Sequence, residues 1–377
     1  MPDAPPWLQR GRIPSLDGAR AVAIVMVLLQ HARGSTGFPD LGDFHWIATL
    51  GILGVEVFFV LSGFLITLLL LREHTRTDAI SLRQFYARRT LRIVPAYAAF
   101  LIVVAILARL NIFEIKRADW IAALTYTMNF RSQLTWAVGH LWSLAIEEQF
   151  YLVWPVVVVI VMRTKMRLER RIITLALLAA GAMIFALLCR GLLIFVFPKH
   201  QGGIQGWTFC RLDSIAAGCL LALLAANDSA RSKLNRWIDF PGSMFVWLAL
   251  LVGSIAYTHT SWKYSYPWHF SFHLSLQAMC IAALLWGLMR RPNSLVATLL
   301  NLRFVSAIGV LSYSVYLWQQ LFLYDSKYPW TKFPQNIAIV FAVALASYFC
   351  IELPFLRWKE KLSRRTSAPE AAISPAR

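Results

Sequence analysis

The stretch SLDGARAVAIVMVLLQHARG, residues 15–34, decides the fold class. It reads as a membrane helix that carries Asp17 and Arg20 at one end and His31 at the other. Nine of the ten residues between Arg20 and His31 are apolar. Eleven helical steps turn the chain through three full turns plus roughly 20°, so Arg20 and His31 share a face about 16 Å apart along the axis. That distance is near half of a bilayer's hydrocarbon core. A charged side chain in hydrocarbon costs about 2.5–3.5 kcal/mol on insertion scales, so each one needs a partner or a task.

The rest of the chain has the same character. It has 377 residues, 58% of them hydrophobic and 15% charged, with a mean hydropathy of +0.57. Soluble domains carry about 25% charged residues. Apolar runs at 17–33, 51–71, 93–110, 137–162, 172–197, 209–226, 238–257, 271–289, 304–324 and 336–353 predict about ten spanning helices. The segment 119–131 is too short to span and reads as a re-entrant or interfacial piece. The fold class is therefore an all-α polytopic membrane protein. Residues 1–16 form an N-terminal segment, 17–356 the membrane domain, and 357–377 a tail whose last dozen residues read as disordered. No cleavable signal peptide is expected, since no small-residue cleavage site follows the first apolar run.

The net charge of +18 does not imply nucleic acid, because the basic residues occur in short separated runs. With the N-terminus inside, 25 of the 37 Lys and Arg fall on inner segments and 8 on outer ones. The other four, Arg20, Arg109, Arg190 and Arg211, lie within the spans. This bias predicts that both termini are cytoplasmic. Trp46, Trp120, Trp136, Trp207, Trp262, Trp268 and Trp330 fall near outer helix ends, as interfacial anchors do. The five cysteines lie in apolar segments without a CxxC pair and read as buried free thiols; no metal site is signalled.

Further groups of polar residues interrupt the spans. Glu56 in GVEVFFVLSGFLIT is expected at the depth of His31, where a carboxylate would orient an imidazole. Gly54, Ser62 and Gly63 suit close helix packing. In FYARRTLRIVPAY, Arg89 and Arg92 are three residues apart and share a helix face, a pair of forks suited to phosphates. In HLWSLAIEEQFYLVWP, Glu147 and Glu148 are adjacent, so at least one must face a polar cavity. Arg211 and Asp213 in RLDSIAAG, and Ser312, Tyr313, Ser314, Tyr316, Trp318 and Gln319 near the end of the chain, complete the set. Ten spans with buried charges also fit a transporter or flippase, although the two halves show no internal repeat.

Taken in order, LDGARAVAIVMVLLQHA, GVEVFFVLSGFLIT, FYARRTLRIVPAY, HLWSLAIEEQFYLVWP, RLDSIAAG, SYSVYLWQQ and SYFCIELPF resemble the acyltransferase-3 family of bacterial integral-membrane O-acyltransferases. The resemblance covers about residues 15–356. It implies transfer of an acyl group, usually acetyl, from cytoplasmic acyl-CoA to a hydroxyl of an acceptor, often a glycan, a glycolipid or a small glycosylated molecule. It implies a place in the bacterial inner membrane and no cofactor beyond the acyl-CoA donor. The family's Arg-x10-His signature falls on Arg20 and His31, with the histidine as catalytic base. Its Arg-x-x-Arg pair falls on Arg89 and Arg92, which with Arg20 would hold the CoA end. Its WSLxxE glutamate falls on Glu147, a second catalytic candidate. Asp17, Glu56, Arg211 and Asp213 fill supporting positions. Two departures stand out: Glu56 occupies a position usually held by Asp, and Gln319 one often held by His. Some members continue into a C-terminal hydrolase-like domain, so this chain reads as the standalone form.

Overall fold

The structure is a computed structural model that describes residues 13, 15–40, 46–200, 203–264, 269–326 and 328–358. The side chains at 46, 48, 198 and 258–271 lie outside that set. The N-terminal segment up to Arg12, the tail beyond Trp358, Trp268 and the rings of Trp46 and Trp262 are therefore outside the described residues.

Every regular element among the described residues is helical. We label the main ones α1 (Leu16–Ala32), α2 (Trp46–Thr77), α3 (Leu82–Arg109), α4 (Arg117–Leu124), α5 (Leu141–Met162), α6 (Leu168–Phe195), α7 (Thr208–Ala226), α8 (Asp228–Asp239), α9 (Ser243–Tyr264), α10 (His269–Arg290), α11 (Arg303–Trp318) and α12 (Gln335–Ser347). Among the described residues seven stretches are long and apolar enough to cross a bilayer, and α8 with the first part of α9, bent by 81°, makes an eighth if the pair is one span. The sequence predicts about ten. The 17 residues of α1 and the 16 of α11 fall short of a full apolar span by length alone. The segment expected to lie at the interface contains the eight-residue α4 and a 3-10 turn at Met128–Phe130.

α2 and α7 lie at the centre. α7 has 78% of its most apolar window buried, whereas α6 and the C-terminal helix have 22% and turn Leu177, Phe195 and Phe349 outward. Such outward apolar surface is what lipid contact requires. Central packing depends on small residues. A Cβ added to Gly63 would sit 1.9 Å from the Ile215 carbonyl oxygen, and one on Gly218 the same distance from that of Val60. Neither position tolerates a side chain unless the two backbones separate.

α1 packs mainly on α2 and α11 and is pinned at its start, where the Ser15 amide donates to the Asn301 side chain at 2.9 Å. α3 starts eleven residues earlier than its apolar run predicts, capped by Ser81, because Leu82–Arg92 is a good helix-forming sequence despite its charges. Arg88 on this early turn bonds Glu73 at the end of α2 at 2.7 Å. Of the cysteines, Cys210, Cys219 and Cys280 are buried as expected; Cys350 is exposed, since the apolar segment carrying it faces outward.

Candidate active site

Two cavities lie against α1, one at each end of the Arg20–His31 pair. The first, about 100 Å³, is lined by Arg20, Ser62, Arg89, Arg92, Glu147, Ser312, Tyr313 and Tyr316. The second, about 530 Å³, is lined by His31, Gln30, Trp136, His140, Trp142, His200, Trp207 and Gln320 among others. Val55 on α2 and Tyr316 on α11 line both, so the cavities meet at these two side chains.

The cationic cavity is built from five helices, α1, α2, α3, α5 and α11. Arg20 bonds Asp17 one turn earlier at 3.4 Å. The Arg89 guanidinium lies 3.6 Å from the centre of the Tyr151 ring, with Glu148 at 3.6 Å and Glu147 at 3.9 Å. Glu147 accepts from Ser62 at 2.9 Å and from Tyr151 at 3.2 Å. Both adjacent carboxylates thus converge on one guanidinium, which is how two charges fit side by side in a membrane helix. Arg92 is exposed towards the cavity and forms no ion pair among the described residues. It supplies a donor fork that a carboxylate or phosphate could take.

The histidine cavity is different in chemistry. His31 meets the edge of Trp136, ring centres 5.5 Å apart at 84°. Its Nε2 lies 3.4 Å from the Gln320 amide nitrogen, and Gln319 flanks the ring. His31 Nδ1 has no hydrogen-bond partner among the described residues. His140 Nδ1 lies 2.8 Å from Gln320 Oε1 and its Nε2 3.0 Å from the Leu317 carbonyl, and the neutral ring, with one N–H, donates to one of these two oxygens. Loops close the cavity. Gln149 on α5 donates to Tyr126 O at 2.7 Å and Asn129 Oδ1 at 3.0 Å and accepts from Thr208, fixing the 126–130 turn to the start of α7.

The remaining expected site residues lie elsewhere. Glu56 sits ten residues into α2, since that helix begins at Trp46 rather than near Gly51. It pairs with Arg211 on α7 at 3.3 Å, both side chains 0% exposed. Asp213 pairs with Arg190 at 2.8 Å, and the Ser275 hydroxyl bridges the two. None of these four lines either cavity. Neither Glu56 nor Glu147 touches His31. The expectation that a carboxylate orients the imidazole gives way to two glutamines and an indole. Gln320 and Tyr151 were not singled out from the sequence. The only signal for Gln320 was a polar Gln-Gln pair at the end of an apolar helix.

The arrangement defines a helical membrane protein with a guanidinium cluster in one cavity and an imidazole in a second, the two sharing Val55 and Tyr316 as walls. Residues 13–353 match the family model described as an acyltransferase domain, and the chain belongs to the acyltransferase-3 family. It is 31% identical over 371 residues to a protein named "Putative O-acetyltransferase SACOL0978" of Staphylococcus aureus strain COL, a match covering 91% of this chain and 57% of that one. It is 30% identical over 370 residues to the proteins named O-acetyltransferase OatA of Staphylococcus aureus strains NCTC 8325 and COL, with the same coverage. The chain thus spans a little over half the length of these relatives. No solved structure matches it.

Proposed function

We propose that the chain transfers an acyl group, acetyl first among the donors, from acyl-CoA to a hydroxyl of a membrane-presented acceptor, with His31 as general base. The O-acetyltransferase names of the relatives support acetyl as the group. The observation that carries the reading is that the cationic and histidine cavities share Val55 and Tyr316 as walls. In this reading both termini are cytoplasmic, the protein sits in the bacterial inner membrane, and the cationic cavity opens to the cytoplasm. Arg92, with Arg20 and Arg89, receives the phosphates of CoA. The thin pantetheine arm follows α1 past Val55 and Tyr316, a path of about 16 Å to His31. Trp136, Trp142 and Trp207 give the acceptor aromatic faces in the wider cavity.

The chemistry follows. The acceptor hydroxyl loses its proton to His31 as its oxygen attacks the thioester carbon. The carbon–sulfur bond then breaks, and the CoA sulfur leaves with the proton returned by the imidazolium. Glu147 lines the cationic cavity and not the histidine one, and its bonds to Arg89, Ser62 and Tyr151 fit a role in holding the donor end.

The test is radiolabelled acetyl transfer from acetyl-CoA into native membrane vesicles. His31→Ala should lower transfer by about 10²-fold or more, with protein level and melting temperature unchanged. Near-normal transfer by this variant would overturn the assignment. Uptake of a solute by the same vesicles without acyl-CoA would favour a transporter instead.

A further inference from the structure

We propose that Gln320 is the positioning residue of His31 and sets which ring nitrogen carries its proton; this rests on the reading of His31 as base. Gln320 is 4% exposed at the end of α11 and reaches three groups of the histidine cavity. Its side-chain oxygen accepts from the His140 backbone N–H at 3.1 Å. A backbone N–H can only donate, so this contact places the amide oxygen towards His140, whose Nδ1, 2.8 Å from the same oxygen, donates to it as well. The amide nitrogen is therefore the end that faces His31 Nε2 at 3.4 Å. An amide NH2 also can only donate, so Nε2 must accept. The neutral His31 ring then carries its proton on Nδ1 and keeps its lone pair on Nε2.

The geometry fits this division. Nδ1 is buried without a partner, which leaves Nε2 as the nitrogen for an incoming hydroxyl. At 3.4 Å the Gln320 contact is long for a hydrogen bond, so a hydroxyl arriving at a normal distance displaces it at little cost. The tautomer, however, is set before the hydroxyl arrives. The same residue also places the neighbouring wall: its backbone carbonyl accepts the Trp136 indole N–H at 3.0 Å, and that indole packs edge-on against His31. His140, 2% exposed, is the anchor that keeps Gln320 in place, with its backbone N–H and Nδ1 on the amide oxygen and its carbonyl accepting from Tyr316 at 2.8 Å. This is the task that a carboxylate partner of a catalytic histidine usually performs, done here by a neutral amide in a site without a charge to neutralise.

The experiment uses the full chain in lipid nanodiscs with 15N-labelled histidine, and the His31 signals are assigned by their loss in His31→Ala. In the native protein, neutral His31 should show a protonated Nδ1. Gln320→Met keeps the shape and removes the hydrogen bonds; the ring should revert to a mixture of tautomers. Acetyl transfer from acetyl-CoA into native membrane vesicles should fall about 10- to 100-fold in kcat with KM for acetyl-CoA unchanged. Gln320→Glu presents an oxygen where the amide nitrogen was, and should move the proton to Nε2 and abolish transfer. Melting temperatures of both variants separate these effects from misfolding. A native ring protonated on Nε2, or a Gln320→Met protein that keeps the Nδ1 tautomer and native kcat, overturns the proposal. The tautomer reading does not depend on turnover. Normal transfer by His31→Ala beside a shifted tautomer in Gln320→Met would therefore overturn the base assignment and leave Gln320's hold on the ring standing.

Discussion

Two clusters of arginines and carboxylates lie inside this protein, and they differ in access. Around Arg89, Glu147 and Glu148 the side chains are 14–22% exposed, and Arg89 and Glu147 border a cavity. Around Glu56, Arg211, Arg190 and Asp213 they are 0% exposed and border none. The sealed cluster is neutral: each guanidinium faces one carboxylate across a helix contact, α2 to α7 and α6 to α7. The open cluster keeps Arg92 outside any such pair among the described residues. Charges sealed in a membrane protein must cancel one another, because nothing else near them can. Charges on a cavity wall can be left for a ligand. On this criterion Glu56, Arg211 and Asp213 hold the helices together, and Arg20, Arg89 and Arg92 are placed to bind.

The largest effect should come from breaking the sealed cluster. Arg211→Ala leaves Glu56 buried and uncompensated, which costs about 3–5 kcal/mol. Loss of folded protein, or a large fall in detergent melting temperature, is expected. Replacing both partners, Glu56→Gln with Arg211→Met, should recover much of that loss, since it removes the charges together. Equal melting temperatures for native and Arg211→Ala protein would erase the distinction between the clusters.

A smaller effect should follow from opening the seam that seals it. Glu56 and Gly63 are seven residues apart on one face of α2, as Arg211 and Gly218 are on α7. Gly63→Ala would push against the Ile215 carbonyl and separate the two helices around the ion pair. The expected loss is about 1–3 kcal/mol. Faster exchange of the α2 and α7 amides would report the opening; unchanged exchange and stability would mean that the helices have slack.

How much of this was legible depends on whether the relevant spacing lies within one helix. The first apolar run was placed at 17–33 and α1 runs from Leu16 to Ala32. Arg20 and His31 do face cavities from one helix, and Arg89 and Arg92 do share one, because helical periodicity fixes such relations locally. The partner of Glu56 was misplaced for the opposite reason. Arg211 is 155 residues away, and nothing in either helix's own pattern says which neighbour it meets. The depth of Glu56 was misjudged because α2 continues back through an apolar stretch whose start carries no cap signal. Gln320 was hidden for a third reason. Its role comes from contacts with His31 and His140, 289 and 180 residues away, at the end of a helix where a polar residue excites no comment.

The mildest test acts on the open cluster alone. Arg92→Gln removes the guanidinium that lacks an ion pair and keeps a polar side chain on the cavity wall. No carboxylate is stranded by the change, so the melting temperature should stay within the range of ordinary surface substitutions, about 0.5 kcal/mol. Binding of an anionic donor should suffer instead. A lost charge-assisted hydrogen bond at a partly solvated site corresponds to a rise of about tenfold in the acetyl-CoA concentration needed for half-maximal transfer. Because the site is open to water, the native advantage should shrink as salt is raised from 0.05 to about 0.5 M, while the ion pair of Glu56 with Arg211 should be indifferent to salt. A variant that loses stability but not donor affinity would move Arg92 from the open cluster to the sealed one, and with it the boundary between binding and packing.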